Sequence, residues 1–182
     1  MRSNARRKMI ESAATLLAMR GVQGTAFSDV LERSGAPRGS IYHHFPRGKD
    51  QLVEAAIELA GERALSVLET LHGSSPKAVT QAFLDLWRAV LVRSELQAGC
   101  AVLAVTVGSD SPDLLEHAAS IFRAWRRGLA ELYVEGGVER RAAERLAATL
   151  VAATEGAVVV SRAEQSLEPF ELVAKSLLDA TP

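Results

Sequence analysis

Apolar residues near the start of the chain recur at intervals of three and four, the spacing that places them on one face of a helix. This face consists of Ile10, Ala13, Ala14 and Leu17. Arg20 and Gly21 then supply a cationic last turn and a residue that readily adopts the left-handed backbone with which many helices end. The pattern predicts a first amphipathic helix that ends near Gly21.

Two shorter helices are predicted before residue 50. Thr25 can cap the first of them, and Gly35 ends it. Pro37 suits the first turn of the other, because an N–H at that position has no partner within the helix, and Pro46 stops it. Two helices joined by a tight, glycine-containing turn form the outline of a helix-turn-helix.

The remainder of the chain predicts a larger helical region, which a helix over residues 49–71 would join to the first. Further helices are predicted over 76–95, 112–135, 139–163 and 168–180. Cys100–Val107 has the composition of a strand, but a single strand among helices has no partner for its backbone, so we expect a short helix there. The sequence predicts an all-α protein with an N-terminal helix-turn-helix domain over residues 1–48 and a helical ligand-binding and dimerisation domain over residues 49–182.

Charge is unevenly divided between the two parts. Residues 1–50 contain nine Lys and Arg against four Asp and Glu, whereas the rest contains twelve against eighteen, so the net charge of −1 conceals a basic start. Basic segments suit nucleic acid, because each phosphate that they neutralise releases counterions. Cys100 is the only cysteine, which excludes an intramolecular disulfide, and we expect neither a signal peptide nor a membrane span. These features favour the cytoplasm.

The third predicted helix carries side chains suited to contacting a duplex. Arg38 can reach a base edge or a phosphate, Gly39 allows a close approach of the backbone, and Ser40 can donate or accept a hydrogen bond. Further donors for phosphates are Tyr42, His43 and His44. Lys49 follows at the start of the next helix, where its ammonium and the helix N-terminus could hold a phosphate together.

The segments Thr25–Asp29 and Ser34–Pro46, together with Lys49, resemble the DNA-binding domain of the TetR family of regulators. The resemblance covers about residues 5–52 and implies DNA contacts from Thr25, Ser28, Arg38, Gly39, Ser40, Tyr42, His43, His44 and Lys49. Two features are similar to the LmrA/YxaF-like branch. The loop from Pro46 to Lys49 is one residue longer than the common form, and Gly99-Cys100 precedes an apolar run.

Adjacent histidines also raise the alternatives of a metal site or an aromatic-rich helix end in a core. Successive helical residues point about 100° apart, so His43 and His44 cannot chelate one ion as an i, i+4 pair can. A small enzyme using His43, His117 or Cys100 is a further alternative, but no nucleophile-elbow, HExxH, phosphate-loop or dinucleotide motif accompanies these residues. We expect no metal, no cofactor and no enzymatic activity.

The helix predicted over 139–163 is apolar over so broad an arc that it must be covered on more than one side. The last helix adds Phe170, Val173, Ala174, Leu177 and Leu178. These two helices from each of two chains would form a four-helix interface, which the TetR resemblance also implies. A two-fold homodimer would place its recognition helices about 34–36 Å apart, one turn of B-DNA.

Large apolar side chains of the middle helices could line a pocket or fill a core. The candidate ligand-binding residues are Phe83, Trp87, Leu103, Phe122, Trp125 and Glu155. Glu155 is an isolated charge in an apolar stretch and costly to bury alone. It could bind a ligand, pair with Arg126 or Arg127, or lie at the dimer interface beside Gly156.

The TetR resemblance implies a repressor that binds palindromic double-stranded operator DNA as a homodimer and is released by a small lipophilic effector. The alternative is a dimeric helical ligand-binding or scaffolding protein without DNA recognition. Arg38, Tyr42 and Lys49 argue against that alternative, because scaffolding alone does not require this set of side chains.

Overall fold

The computed structural model describes the backbone of residues 2–182 and the side chains of residues 4–182. Over residues 2–182 the secondary structure comprises nine α-helices and no strand: α1 Arg2–Arg20, α2 Phe27–Ser34, α3 Ser40–His44, α4 Lys49–Leu68, α5 Pro76–Arg93, α6 Ala101–Gly108, α7 Pro112–Glu135, α8 Arg140–Glu164 and α9 Glu168–Ala180. A 3-10 turn, Glu69–Leu71, follows α4. The all-α prediction is confirmed, and the ambiguous segment after Cys100 is helical.

The chain forms two compact units. Unit 1 consists of residues 1–61 and 100–121, and unit 2 of residues 62–99 and 122–182. Unit 1 therefore contains α6, which packs against α1. The predicted division into domains at residue 48 stays a prediction.

The apolar face of α1 forms the centre of unit 1. Its predicted members Ile10, Ala13, Ala14 and Leu17 are all buried, and both α2 and α3 pack against α1. Ile41 and Phe45, in and directly after α3, are fully buried. These two side chains anchor a helix that is too short to be stable alone.

We predict that Phe45→Ala lowers the free energy of unfolding by about 3–5 kcal/mol, because it leaves a cavity where a fully buried ring stood. The substitution also removes the ring above which the Arg6 guanidinium lies, 5.4 Å from the centroid. Chemical denaturation measures the loss. His44→Ala, a neighbouring half-exposed position, is the control and should cost less than about 1 kcal/mol. Similar losses in the two variants would contradict the assignment of Phe45 as the anchor.

The expected cap of α2 is wrong. Ala26 is the N-cap residue, and its N–H donates to Oδ2 of Asp29 at 3.2 Å. The Thr25 hydroxyl instead donates to the carbonyl oxygen of Gly21 at 2.8 Å. This carbonyl follows the end of α1, where backbone oxygens lack partners within the helix, so Thr25 completes the first helix rather than starting the second.

The expected start of α3 at Pro37 is also wrong. The helix begins at Ser40, whose N–H donates to the Pro37 carbonyl at 2.9 Å across a tight turn. The Ser40 hydroxyl donates to the same oxygen at 2.6 Å. Pro37 therefore precedes the helix, and Arg38 and Gly39 lie in the turn that leads into it.

Unit 2 is assembled around α8, which packs against α5 and α9, while α5 also packs against α9. Among the helices of residues 2–182, α8 alone is long and apolar enough to cross a membrane by length and composition. Its buried residues, including Leu150, Val151 and Val158, pack within unit 2. Burial of this kind is the property of a core helix, so packing explains the apolar residues on the buried side of α8.

Candidate functional site

The α2–turn–α3 segment has helix-turn-helix geometry. α2 ends at Gly35, which has φ +66° and donates its N–H to the Leu31 carbonyl at 3.0 Å. The left-handed backbone there favours glycine and turns the chain toward α3. Unit 1 thus presents a short second helix on its surface, with its apolar residue Ile41 turned inward.

Most of the predicted DNA-contacting residues lie at the surface of unit 1. Those exposed are Ser28, Arg38, Gly39, Tyr42 and His43, and those half-buried are Ser40, His44 and Lys49. Arg38 makes no ion pair with any of residues 4–182. A guanidinium without a carboxylate partner is available to a phosphate or a base edge.

Tyr42 is the most unusual of these side chains, because a large ring is 69% exposed. Its ring meets that of Phe27 edge-on, with centroids 5.7 Å apart and planes at 81°. This contact between α2 and α3 limits the orientations of a tyrosine that remains mostly exposed. A tyrosine held in this way carries a donor to the surface at a small cost in conformational entropy.

Lys49 ties the first residue of α4 to the loop between α1 and α2. Its Nζ donates to the Val22 carbonyl at 2.7 Å. An ammonium has three protons, so this bond leaves donors for a further acceptor. Gly48, with φ +84°, accommodates the extra loop residue noted in the sequence.

Thr25 lies apart from this surface. It is buried, and its hydroxyl is directed to Gly21. Its burial shows that a position within a family motif can support the fold of the motif while the neighbouring side chains are exposed.

Four of the six predicted ligand-binding residues form a chain of edge-on aromatic contacts in unit 2. The ring centroids of Phe83 and Trp87 are 6.5 Å apart, those of Trp87 and Trp125 are 6.0 Å apart, and those of Phe122 and Trp125 are 5.4 Å apart. Phe122 is half-buried and the other three are buried. The structure thus brings these four residues, on α5 and α7, together in one contiguous aromatic cluster.

Two buried polar atoms in unit 2 have no hydrogen-bond partner among residues 4–182: Nε1 of Trp87 and Oγ1 of Thr154. The broadly apolar pattern of the helix predicted over 139–163 did not single out Thr154 as a polar group. Buried polar groups are nearly always satisfied, so an unpaired indole N–H within an aromatic cluster requires an explanation. Such an N–H can donate a hydrogen bond to a ligand that carries an oxygen or nitrogen acceptor.

The other two predicted ligand-binding residues have different surroundings. Glu155 is buried in unit 2, while the neighbouring Gly156 is exposed. Leu103 lies on α6, in unit 1, and is half-buried.

Between residues 152 and 163, the exposed residues of α8 are all small or apolar: Ala152, Gly156, Val159, Val160 and Ala163. On α9, Leu172 is 62% exposed. Surfaces with this composition, outside a core, commonly mark association sites. We refer to these six residues as the α8/α9 face.

An N-terminal helix-turn-helix, followed by a helical region with its own buried aromatic cluster, defines the class of helix-turn-helix regulators. Residues 9–65 match the model of the bacterial regulatory proteins of the tetR family, and residues 76–176 match that of the C-terminal domain of LmrA/YxaF-like transcriptional regulators. The chain belongs to the TetR family of transcriptional regulators, and its C-terminal part to the LmrA/YxaF-like branch. Both assignments confirm the sequence prediction, and the family consists of regulators rather than enzymes.

Similar proteins extend over nearly the whole chain. An uncharacterized HTH-type transcriptional regulator of Mycobacterium tuberculosis is 35% identical over 179 residues, covering 94% of this chain and 91% of the relative. The HTH-type transcriptional repressor DhaR of a Mycobacterium species is 25% identical over 191 residues, covering 99% of this chain and 96% of the relative. The crystal structure of the regulatory protein TetR from Rhodobacter sphaeroides superposes with a TM-score of 0.87 at 20% identity, covering 98% of this chain and 99% of that one. This last likeness confirms the fold.

Proposed function

We propose that the protein is a cytoplasmic transcriptional repressor that binds a palindromic operator as a homodimer and is released by a small lipophilic effector. The observation that carries the proposal is the surface around α3, where Tyr42 and His43 are exposed on a helix held by the buried Ile41 and Phe45, and Arg38 is exposed in the turn before it. Exposed polar side chains on an apolar anchor are what a recognition helix requires. The relative named as a repressor, DhaR, supports repression rather than activation.

In this proposal the DNA contacts come from the predicted residues that reach the surface. Arg38 lies in the turn before α3 and contacts a base edge or a phosphate, while Tyr42 and His43 contact phosphates. Lys49 keeps its bond to Val22 and offers a second proton to a phosphate. Thr25 supports the α1–α2 loop from within the protein.

Dimerisation uses the α8/α9 face, against the same face of a second copy. A two-fold interface is self-complementary, and small residues such as Gly156 allow the helices of two protomers to approach closely. The dimer is needed because a palindrome has two half-sites and each chain carries one α3.

The effector binds at the aromatic cluster of α5 and α7. The rings of Phe83, Trp87 and Trp125 supply apolar contact area, and the unpaired Trp87 N–H supplies a donor. These features suit a lipophilic compound with a carbonyl, ether or similar acceptor. Glu155, also in unit 2, remains a candidate for this site, and the ligand contact predicted for Leu103 stays a prediction.

Release of the operator follows from a shift between two states of the dimer. The first part of α4 belongs to unit 1 and the remainder to unit 2, so a displacement of this helix on effector binding alters the spacing of the two recognition helices. Moving the dimer from almost fully DNA-competent to almost fully released requires the effector to favour the released state by about 5.5 kcal/mol.

A gel-shift titration with the DNA upstream of the gene for this protein tests operator binding. We expect a discrete complex on a palindromic segment, with an affinity that falls steeply as salt rises, because phosphate contacts release counterions. A scrambled duplex of equal length and composition is the control. Equal affinity for the two duplexes would favour the scaffolding alternative.

Thermal-shift screening of lipophilic compounds tests the effector site. A compound that binds the native protein raises the melting temperature, and we expect the best of them to dissociate the operator complex. Trp87→Phe keeps an aromatic ring and removes the N–H, so it should weaken compounds with an acceptor group and spare pure hydrocarbons. Compounds that bind Trp87→Phe and the parent protein equally would place the effector elsewhere.

A further inference from the structure

Unit 2 contains a cavity of about 450 Å³, lined by residues other than those of the aromatic cluster. It lies among the ends of four helices, with Thr80 of α5, Tyr133 of α7, Leu150 of α8 and Leu177 of α9 in its walls. Its volume is within the range of small-molecule sites, roughly 300–1,000 Å³. α8 lines it through residues 142–150, before the start of the α8/α9 face at Ala152.

One end of the cavity is polar. The hydroxyls of Thr80, Tyr133 and Thr181 are on residues that are each at most 4% exposed. The Tyr133 oxygen lies 2.6 Å from Oγ1 of Thr80, which lies 3.1 Å from Oγ1 of Thr181. Thr181 in turn donates to the Leu177 carbonyl at 2.8 Å.

The direction of each hydrogen bond among these three hydroxyls is fixed by the bond from Thr181 to the Leu177 carbonyl. Thr181 has one hydroxyl proton and gives it to Leu177, so Thr80 must donate to Thr181. The single proton of Thr80 is then used, so Tyr133 must donate to Thr80. Burial raises the pKa of the Tyr133 phenol, so the phenol keeps the proton that this direction requires.

The consequence is a polar end that accepts hydrogen bonds and has no proton to give. No group among residues 4–182 donates to the Tyr133 oxygen, so its lone pairs remain for a ligand. A carboxylate or carbonyl is not recognised there, whereas a hydroxyl or an N–H is.

The remaining walls define the rest of the ligand. Val138, Leu146, Leu150 and Leu177 are apolar, whereas the exposed Thr149 and Arg145 contribute a hydroxyl and a guanidinium. A guanidinium is suited to a carboxylate. We propose that this cavity binds an amphipathic hydroxy acid, whose hydroxyl donates to Tyr133, whose apolar body packs among the leucines, and whose carboxylate pairs with Arg145.

The probes are para-hydroxyphenylbutyrate and phenylbutyrate, which differ only in the phenolic hydroxyl. Isothermal titration calorimetry on the full chain, without DNA, measures both. The hydroxylated probe binds about tenfold more tightly, the gain expected of one good hydrogen bond. Because no operator is present, failure of this experiment leaves the proposed repressor function untouched.

Three variants locate the binding. Tyr133→Phe abolishes the tenfold preference, Ala142→Phe fills the cavity and blocks both probes, and Arg145→Gln weakens both probes about two- to fivefold. Arg141→Gln, four residues before Arg145 on the exposed side of α8 and outside the cavity lining, is the matched control and changes neither. Circular dichroism verifies that each variant is folded. If Tyr133→Phe does not fold, Ala142→Phe still tests the cavity, because Ala142 is half-exposed and tolerates a larger side chain.

Three results overturn the proposal: absence of binding at millimolar probe, equal affinity for the two probes, or binding that Ala142→Phe leaves unchanged. If a partner subunit fills the cavity in the dimer, the probes do not bind, and the proposal is overturned in that case as well.

Discussion

Replacing Arg38 and Tyr42 together with alanine is expected to weaken operator binding about a hundredfold or more. Both side chains are exposed beside α3, and neither is part of the core. Each contact to a base or phosphate is worth about 1–3 kcal/mol, and every 1.4 kcal/mol changes the affinity tenfold. Fluorescence anisotropy with the labelled operator measures the loss, and thermal melting verifies that the fold is unchanged.

Two controls test whether the loss of affinity comes from lost DNA contacts rather than from a change in net charge or in ring packing. Arg93→Ala removes the same charge from the exposed last turn of α5 in unit 2 and should leave the affinity unchanged. Tyr42→Phe retains a ring to pack on Phe27 and loses the hydroxyl, so it should cost about tenfold. If the double variant binds the operator as well as the parent does, α3 is not the recognition helix.

The course of the helices could be predicted because their signals are local. Gly21 and Gly35 both have positive φ, as expected of glycines that end helices. The segment after Cys100 was ambiguous in composition, yet the argument that a lone strand has no backbone partner correctly gave a helix. The Cys100 sulfur accepts from the Leu103 N–H at 3.3 Å, an N-cap role that composition alone does not reveal.

The two wrong helix starts have a common cause. Thr25 and Pro37 both have strong local preferences for helix starts, and each lies one or a few residues before the helix that it was expected to begin. The Thr25 hydroxyl donates to the Gly21 carbonyl instead of accepting from the first turn of α2, and the Pro37 carbonyl accepts from Ser40 in a turn. Propensity ranks residues for a role, but tertiary and neighbouring contacts decide which role is taken.

The composition of the two units depends on contacts between distant residues. α6 packs against α1, across some ninety positions of sequence, and no local pattern indicates this. The same limit applies to polar groups. Sequence placed Trp87 among aromatic residues, but only the structure shows that its N–H is unpaired. The close packing at Gly99 is likewise visible only in the structure, where a Cβ at this position would lie 3.0 Å from Nη1 of Arg162.

Gly156→Arg is expected to convert the proposed dimer into a monomer and to weaken binding to the proposed palindromic operator about a hundredfold or more. Gly156 is exposed on α8, and a Cβ added there meets nothing within 4 Å in the protomer. Arginine is also a better helix former than glycine by nearly 1 kcal/mol, so the protomer itself should lose no stability. Any loss of operator affinity must therefore come from weaker association of the protomers, because a guanidinium buried in a close apolar interface has neither water nor a charged partner.

The loss of affinity follows from geometry alone, because a monomer carries one α3 and gains nothing from a second half-site. Linking two binding events raises overall affinity by roughly 10²–10⁴, and separation of the protomers forfeits that factor. Sedimentation velocity and a gel shift on the palindrome measure the two effects. Gly156→Ala is the matched control: it adds only a methyl group and should stay dimeric with full affinity. A Gly156→Arg protein that remains a dimer and binds the palindrome normally would exclude the α8/α9 face as the interface and move the two-fold axis to another surface of the chain.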